Sequence, residues 1–271
     1  METFQKSGTL PSDEKVAKFL ENLAIQSLLA LLTPNQRDLL RAATLFNLPV
    51  PVPVFQKLTA AATQKDIERL VALGLCEVYE DLYNPEEEAL AINNIVRPYA
   101  GSLNDDEQKA VSSRVVSSLF DLWGVESGSA HRSYLSYLLD FEMTRLALLA
   151  SDPQVLACTG ANTLRGLEAR FGYQTAAVAA KQIMSVLDAS GTAAPVRLLR
   201  IASERCAQVG EAQEADRFLQ RALAEIRRSP QDAAAIADHG ATFLTHARAL
   251  IRQGDLDEAI PVLEQARCLS H

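Results

Sequence analysis

Residues 33–58 read TPNQRDLLRAATLFNLPVPVPVFQKL, and residues 66–100 read DIERLVALGLCEVYEDLYNPEEEALAINNIVRPYA. Thr33 and Pro34 set a hydroxyl N-cap ahead of a proline at the first helical position. The helix that follows runs to Phe46 and buries Leu39, Leu40, Ala43 and Leu45. Pro49, Pro51 and Pro53 alternate with valines, and each disfavours helix in the residue before it. The spacing predicts an extended connector over Pro49–Val54 and a short helix over Val54–Leu58. A third helix is expected over Asp66–Leu73, with Ile67, Leu70, Val71 and Leu73 inward and Gly74 ending it. Leu75–Tyr79 and Ala89–Ile92 read as strands around an acidic turn, and a last helix is expected to begin near Asn93. Helices followed by a β-hairpin make a winged helix, so residues 33–123 are expected to form that domain with its connecting helix.

Outward from this stretch, residues 1–32 form a lead-in and an N-terminal helix capped by Ser12. Asn104 and Glu107 have capping-box spacing and open a helix through Trp123 whose apolar face is Val111, Val115, Leu119, Leu122 and Trp123. Residues 124–132, GVESGSAHR, read as a linker. From residue 133 to 271 the pattern is helical, with Asp152-Pro153 as a further start signal. Here a repeat emerges. Gly172, Gly210 and Gly254 each precede an alanine by five residues, at Ala177, Ala215 and Ala259. In the last two units Leu219 and Leu263 follow, and then Ala222 and Ala266. Glycine permits the tight turn between antiparallel helices, and the small residues allow close approach. Leu199, Ser203 and Cys206 precede Gly210 at the positions where Phe243, Ala247 and Leu250 precede Gly254. The Gly172 unit is degenerate, with Glu168 and Lys181 at normally apolar positions. The fold class expected is mainly α: a winged helix with a small β-hairpin wing, followed by an α-solenoid.

Composition narrows the function. The chain has 271 residues, 48% hydrophobic, and a formal net charge of −8. Residues 1–100 hold 9 basic and 13 acidic side chains and residues 101–271 hold 17 and 21, so no basic domain is hidden. In the expected third helix Asp66 and Glu68 offset Lys65 and Arg69, and the wing carries Glu80, Asp81, Glu86, Glu87 and Glu88 without a cation between them. Phosphate contact supplies most nucleic-acid affinity, and such a wing opposes it. No apolar run reaches membrane-spanning length, and the N-terminus has no signal-peptide pattern, which points to a cytoplasmic protein. Cys76, Cys158, Cys206 and Cys268 are far apart in sequence and in apolar settings, so four reduced core thiols are expected and no metal pair. His131, His239, His246 and His271 make no HExxH, and no GxSxG occurs. The chain is expected to be non-enzymatic, with no catalytic or metal-binding residues.

The segments RAATLFNLPVP, IERLVALGL and INNIVRPYA resemble the winged-helix domain of STAND-type signalling NTPases, which include the NB-ARC proteins. The G-x4-A-x3-L-x2-A spacing resembles the tetratricopeptide (TPR) motif. The resemblance implies the C-terminal half of a switch: a relay domain followed by a repeat-built sensor. In that family a histidine at the start of the last winged-helix helix contacts the nucleotide. Here Asn93 stands in its place, and the reading from the residues alone is a helix N-cap. No GxxxxGK[ST] occurs, so no cofactor is expected in this chain, and ATP or ADP enters only with an upstream NTPase domain. The chain is thus expected to be either the C-terminal part of a larger protein or a stand-alone relative. The array stops at His271 without a polar capping helix, which implies truncation or a partner. In TPR-like arrays the first helices line a groove, and this register puts Arg197, Arg200, Glu204, Arg248 and Arg252 at its exposed positions. Such a groove suits an acidic protein or peptide. The function expected is therefore a regulatory sensor that binds a protein or peptide. The alternative is a DNA-binding transcriptional regulator using the winged helix.

Overall fold

The computed structural model describes residues 14–124, 134–228 and 236–269. The chain divides into two compact units, Met1–Leu122 and Trp123–His271. The linker expected at 124–132 lies almost wholly outside the described residues, as do Ser12, His131 and His271.

The first unit holds α1 (Glu14–Ala30), α2 (Pro34–Ala43), β1 (Val50–Pro51), α3 (Val52–Gln56), α4 (Gln64–Ala72), β2 (Cys76–Glu80), β3 (Glu88–Ile92) and most of α5 (Asp105–Trp123). The sheet order is β1-β3-β2, with both pairings antiparallel. The expected hairpin forms as β2 and β3, and β1 adds to it as a third strand that the sequence reading did not include. Thr33 caps α2 in a full capping box with Gln36. Thr63 does the same for α4 with Asp66. Leu39, Leu40, Val54, Phe55, Leu58, Leu70, Leu75 and Leu90 form the core.

Three expectations for this unit need correction. The proline run is not one extended connector: Val50 pairs with Leu90, and helix α3 starts at Val52. Pro53 falls in its first turn, where no intrahelical N–H is needed. No helix begins at Asn93. Residues 94–96 form a turn and Arg97–Tyr99 one 3-10 turn, because Pro98 lacks an N–H to continue the ladder. Leu122 does not join the apolar face of α5; it is exposed, and Val116 is buried instead. The Asn104–Glu107 capping box forms as expected, with both bonds near 2.8–2.9 Å. Two arginines then tie the loops down. Arg41 Nη1 donates to Glu107 Oε1 at 2.8 Å. Arg97 donates to the carbonyls of Thr44 and Phe46 at 2.8 and 2.7 Å, closing the exit from α2.

The second unit holds α6 (Tyr134–Ala150), α7 (Pro153–Ser190), α8 (Val196–Gln208), α9 (Ala212–Arg228), α10 (Ile236–Gln253) and α11 (Leu256–Cys268). Helix α7 is not straight. Gly172 has φ 82° and ψ 174°, outside helical space, and separates two arms, 153–171 and 173–190. A Cβ on Gly160 of the first arm would lie 3.5 Å from Ile183 of the second, so the arms fold back on each other. Gly210 and Gly254 make the corresponding turns at φ 82° and 91°. Both use the same closing bonds: Glu211 N–H donates to Cys206 O at 2.9 Å, and Asp255 N–H to Leu250 O at 3.0 Å. The repeat glycines in the sequence are thus three hairpin turns in space. The small residues Ala177, Ala222, Ala259 and Ala266 are buried. The charges of the degenerate unit are accommodated by partners: Glu168 pairs with Arg205, and Lys181 with Glu211.

Candidate functional site

The first arm of α7, α8 and α10 lie side by side, α8 packing on both of the others. Polar side chains join them. Arg197 Nη2 donates to Asn162 Oδ1 at 3.0 Å, and Asn162 Nδ2 donates to Asp140 Oδ2 of α6 at 2.8 Å. Farther along, Arg205 pairs with Glu168. Between α8 and α10, Arg200 reaches Asp238 at 3.4 Å, and Thr245 Oγ1 donates to Glu204 Oε1 at 2.8 Å. Partner numbers rise together along each pair of helices, so the three first helices run parallel. The result is a charged seam across successive hairpins.

The seam sorts the expected groove residues. Arg200 is not exposed: it is 7% accessible and bonded to both Glu204, at 3.0 Å, and Asp238. A groove residue in the sequence register is here a stitch between repeats, because α10 brings Asp238 over it. Arg197 and Glu204 are half-buried, and Arg248 and Arg252 are exposed. An open cavity of about 470 Å³ gathers Glu204, Arg248 and Arg252 with Arg205, Gln208 and Thr245. Arg197 and Arg200 do not line it.

Cations dominate where partners are missing. Arg248 makes no side-chain hydrogen bond or ion pair among the described residues, and Arg252 Nε donates only to the Arg248 carbonyl, at 3.2 Å. Sequence reasoning missed Arg205 and Arg165. Arg205 sits one residue outside the exposed register, and Arg165 belongs to the degenerate unit. Arg165 is exposed as a residue, yet its guanidinium is held below its ordinary value. Desolvation is the first cause, followed by the charges of Arg197 and Arg200, with Asp238 and Glu204 acting in the opposite sense. Arg165 remains protonated at any physiological pH.

Elsewhere the side chains serve the fold. Asn93 Nδ2 donates to Glu77 Oε1 at 2.8 Å and its Oδ1 accepts from Ile95 N–H at 2.8 Å, a local capping role. In the wing, Asp81 is buried and accepts from the N–H groups of Tyr83 and Asn84, so four of the five acids there face solvent. The expectation of four core thiols holds for Cys76 and Cys206 and fails for Cys158 and Cys268, which are exposed. His239 is buried and His246 half-buried, the latter lowered by desolvation. No group of three or more His, Cys, Asp or Glu could hold a metal among the described residues. No helix among them is long and apolar enough to cross a membrane.

No family model and no curated protein matches the chain. Among solved structures, a Signal Transduction ATPase with Numerous Domains (STAND) protein with a tetratricopeptide repeat sensor, from Pyrococcus horikoshii, is similar at 12% identity and a TM-score of 0.47. That match covers 96% of this chain and 34% of the other, so this chain spans about a third of that protein's length.

Proposed function

We propose that the protein is a non-enzymatic regulatory module whose second unit binds an acidic protein or peptide along the α7–α8–α10 seam. One observation carries this reading. Four arginines on one seam of a chain with net charge −8, Arg165, Arg197, Arg248 and Arg252, have no carboxylate partner among the described residues. Guanidinium groups recognise carboxylates through paired, charge-assisted hydrogen bonds. Concave repeat surfaces offer room for an extended ligand. The cavity beside Arg248 and Arg252 also includes Ile251, an apolar contact for the partner's backbone or side chains.

In this reading the first unit is the relay domain of a STAND-type switch, as its sequence resemblance suggests. ATP or ADP then acts through a separate nucleotide-binding domain and not through this chain. The DNA-binding alternative has less support, because Glu80, Glu86, Glu87 and Glu88 are all solvent-facing on the wing.

Fluorescence anisotropy with labelled hexaglutamate, hexalysine and a short DNA duplex tests the proposal. Hexaglutamate should bind, weaken with added salt, and lose affinity in the R248Q/R252Q variant. Preferential binding of the duplex at low salt, with no response to hexaglutamate, would replace this reading with the alternative.

A further inference from the structure

We propose that Arg165 and Arg197 form a subsite that takes a single carboxylate side chain of the acidic partner. The inference rests on the seam being a binding face and assigns its anchor. Asn162, Arg165 and Glu168 are three residues apart on the first arm of α7, so they follow one another along one face. The first and last of these are used: Asn162 meets Arg197, and Glu168 meets Arg205. Arg165 lies between them, opposite the middle of α8. The residue there that could have answered it is Arg200, a like charge, which turns instead to Glu204 and Asp238. Arg165 is therefore a rung with no partner: it makes no hydrogen bond and no ion pair among the described residues.

Arg197 is nearly as free. Of its five N–H donors it uses one, on the neutral amide oxygen of Asn162. Asn162, which bonds Arg197, lies one helical turn before Arg165, so the two guanidinium groups occupy neighbouring positions on the seam. Glu204 and Asp238, the carboxylates of this stretch, are engaged by Arg200 and bond neither Arg165 nor Arg197, so two forks with spare donors remain for a carboxylate to bridge. A planar carboxylate matches the paired N–H donors of a guanidinium fork, so one aspartate or glutamate side chain can accept from Arg165 and Arg197 together. Asp140 reaches this stretch only through the Asn162 amide.

Anisotropy titrations of labelled hexaglutamate into the full chain test the assignment. R165Q and R197Q should each weaken binding about fivefold, and the double variant should lose less than the product of the two because both forks share one carboxylate. R165Q should not lower the melting temperature, since no intramolecular partner is lost. Unchanged affinity in R165Q and R197Q, with a loss in R248Q, would overturn the subsite and leave the binding face standing. No binding of hexaglutamate by the wild-type chain would overturn both. Displacement of the peptide by inorganic phosphate more effectively than by acetate, at equal ionic strength, would overturn the carboxylate assignment.

Discussion

Replacing Gly172 by alanine separates two architectures by the sign of its effect. Were 153–190 one continuous helix, Gly172 would sit in its interior, and alanine there would stabilise by about 0.5–1 kcal/mol. In the hairpin Gly172 has φ 82° and ψ 174°, a region essentially restricted to glycine. A Cβ at this position would meet nothing within 4 Å, so packing neither helps nor opposes the change. The whole cost is backbone strain, on the order of 1–3 kcal/mol. For a protein of this size that is a drop of roughly 2–12 °C in melting temperature. The two compact units need not unfold together, so the assay should resolve them. Hydrogen exchange of the amides in 153–171 and 173–190, alongside a thermal melt, reads the second unit specifically. Faster exchange in both arms and a lower melting temperature are expected. Semisynthetic D-alanine, which favours positive φ, should restore most of the loss. A G172A protein as stable as wild type, or more so, would refute the hairpin and with it the parallel array of first helices.

Leu219 and Leu263 occupy the same repeat position, yet one is 2% and the other 39% exposed. Leu219→Ala should cost about 3 kcal/mol and Leu263→Ala about 1 kcal/mol or less, measured by urea unfolding. The Glu107 carboxyl is held below its usual range, first by the Asn104 backbone N–H and then by Arg41. A depressed carboxylate stabilises above its unfolded value and loses that contribution as pH falls through the folded one. Melts taken from neutral pH to about pH 3 should therefore converge for wild type and Glu107→Gln at the acid end and separate at neutral pH, with the variant lower. Burial pushes the Cys76 thiol up to about 12 and the Cys206 thiol to about 11. Burial raises the Cys158 thiol as well, but Cys158 and Cys268 are exposed, so native protein should react with a thiol reagent at these two first, and at Cys76 and Cys206 only after unfolding.

Local signals in the sequence survive into the fold wherever they rest on local physics. Thr33, Asn104 and Asp152 cap the helices that their side chains announce. Repeat glycines turn the chain because φ near 80–90° excludes most other residues. What escaped notice depends on partners distant in sequence. Strand β1 is two residues long and exists because Val50 meets Leu90. Arg200 has the right register for the inner face and the wrong exposure, because Asp238 arrives from the next first helix. Glu168 and Lys181 look like flaws in a degenerate repeat until Arg205 and Glu211 are placed beside them. Arg165 carries no sequence signal at all. Its interest lies in the rung it leaves unanswered, which appears only when the bonds on either side are drawn.

Hydrogen exchange of the full chain with and without saturating hexaglutamate locates the binding face most directly. Protection should appear on the first arm of α7, on α8 and on α10, and should fade in R165Q and R248Q. Protection confined to α4 and the wing, or none on any of the three first helices, would contradict a binding face on the seam.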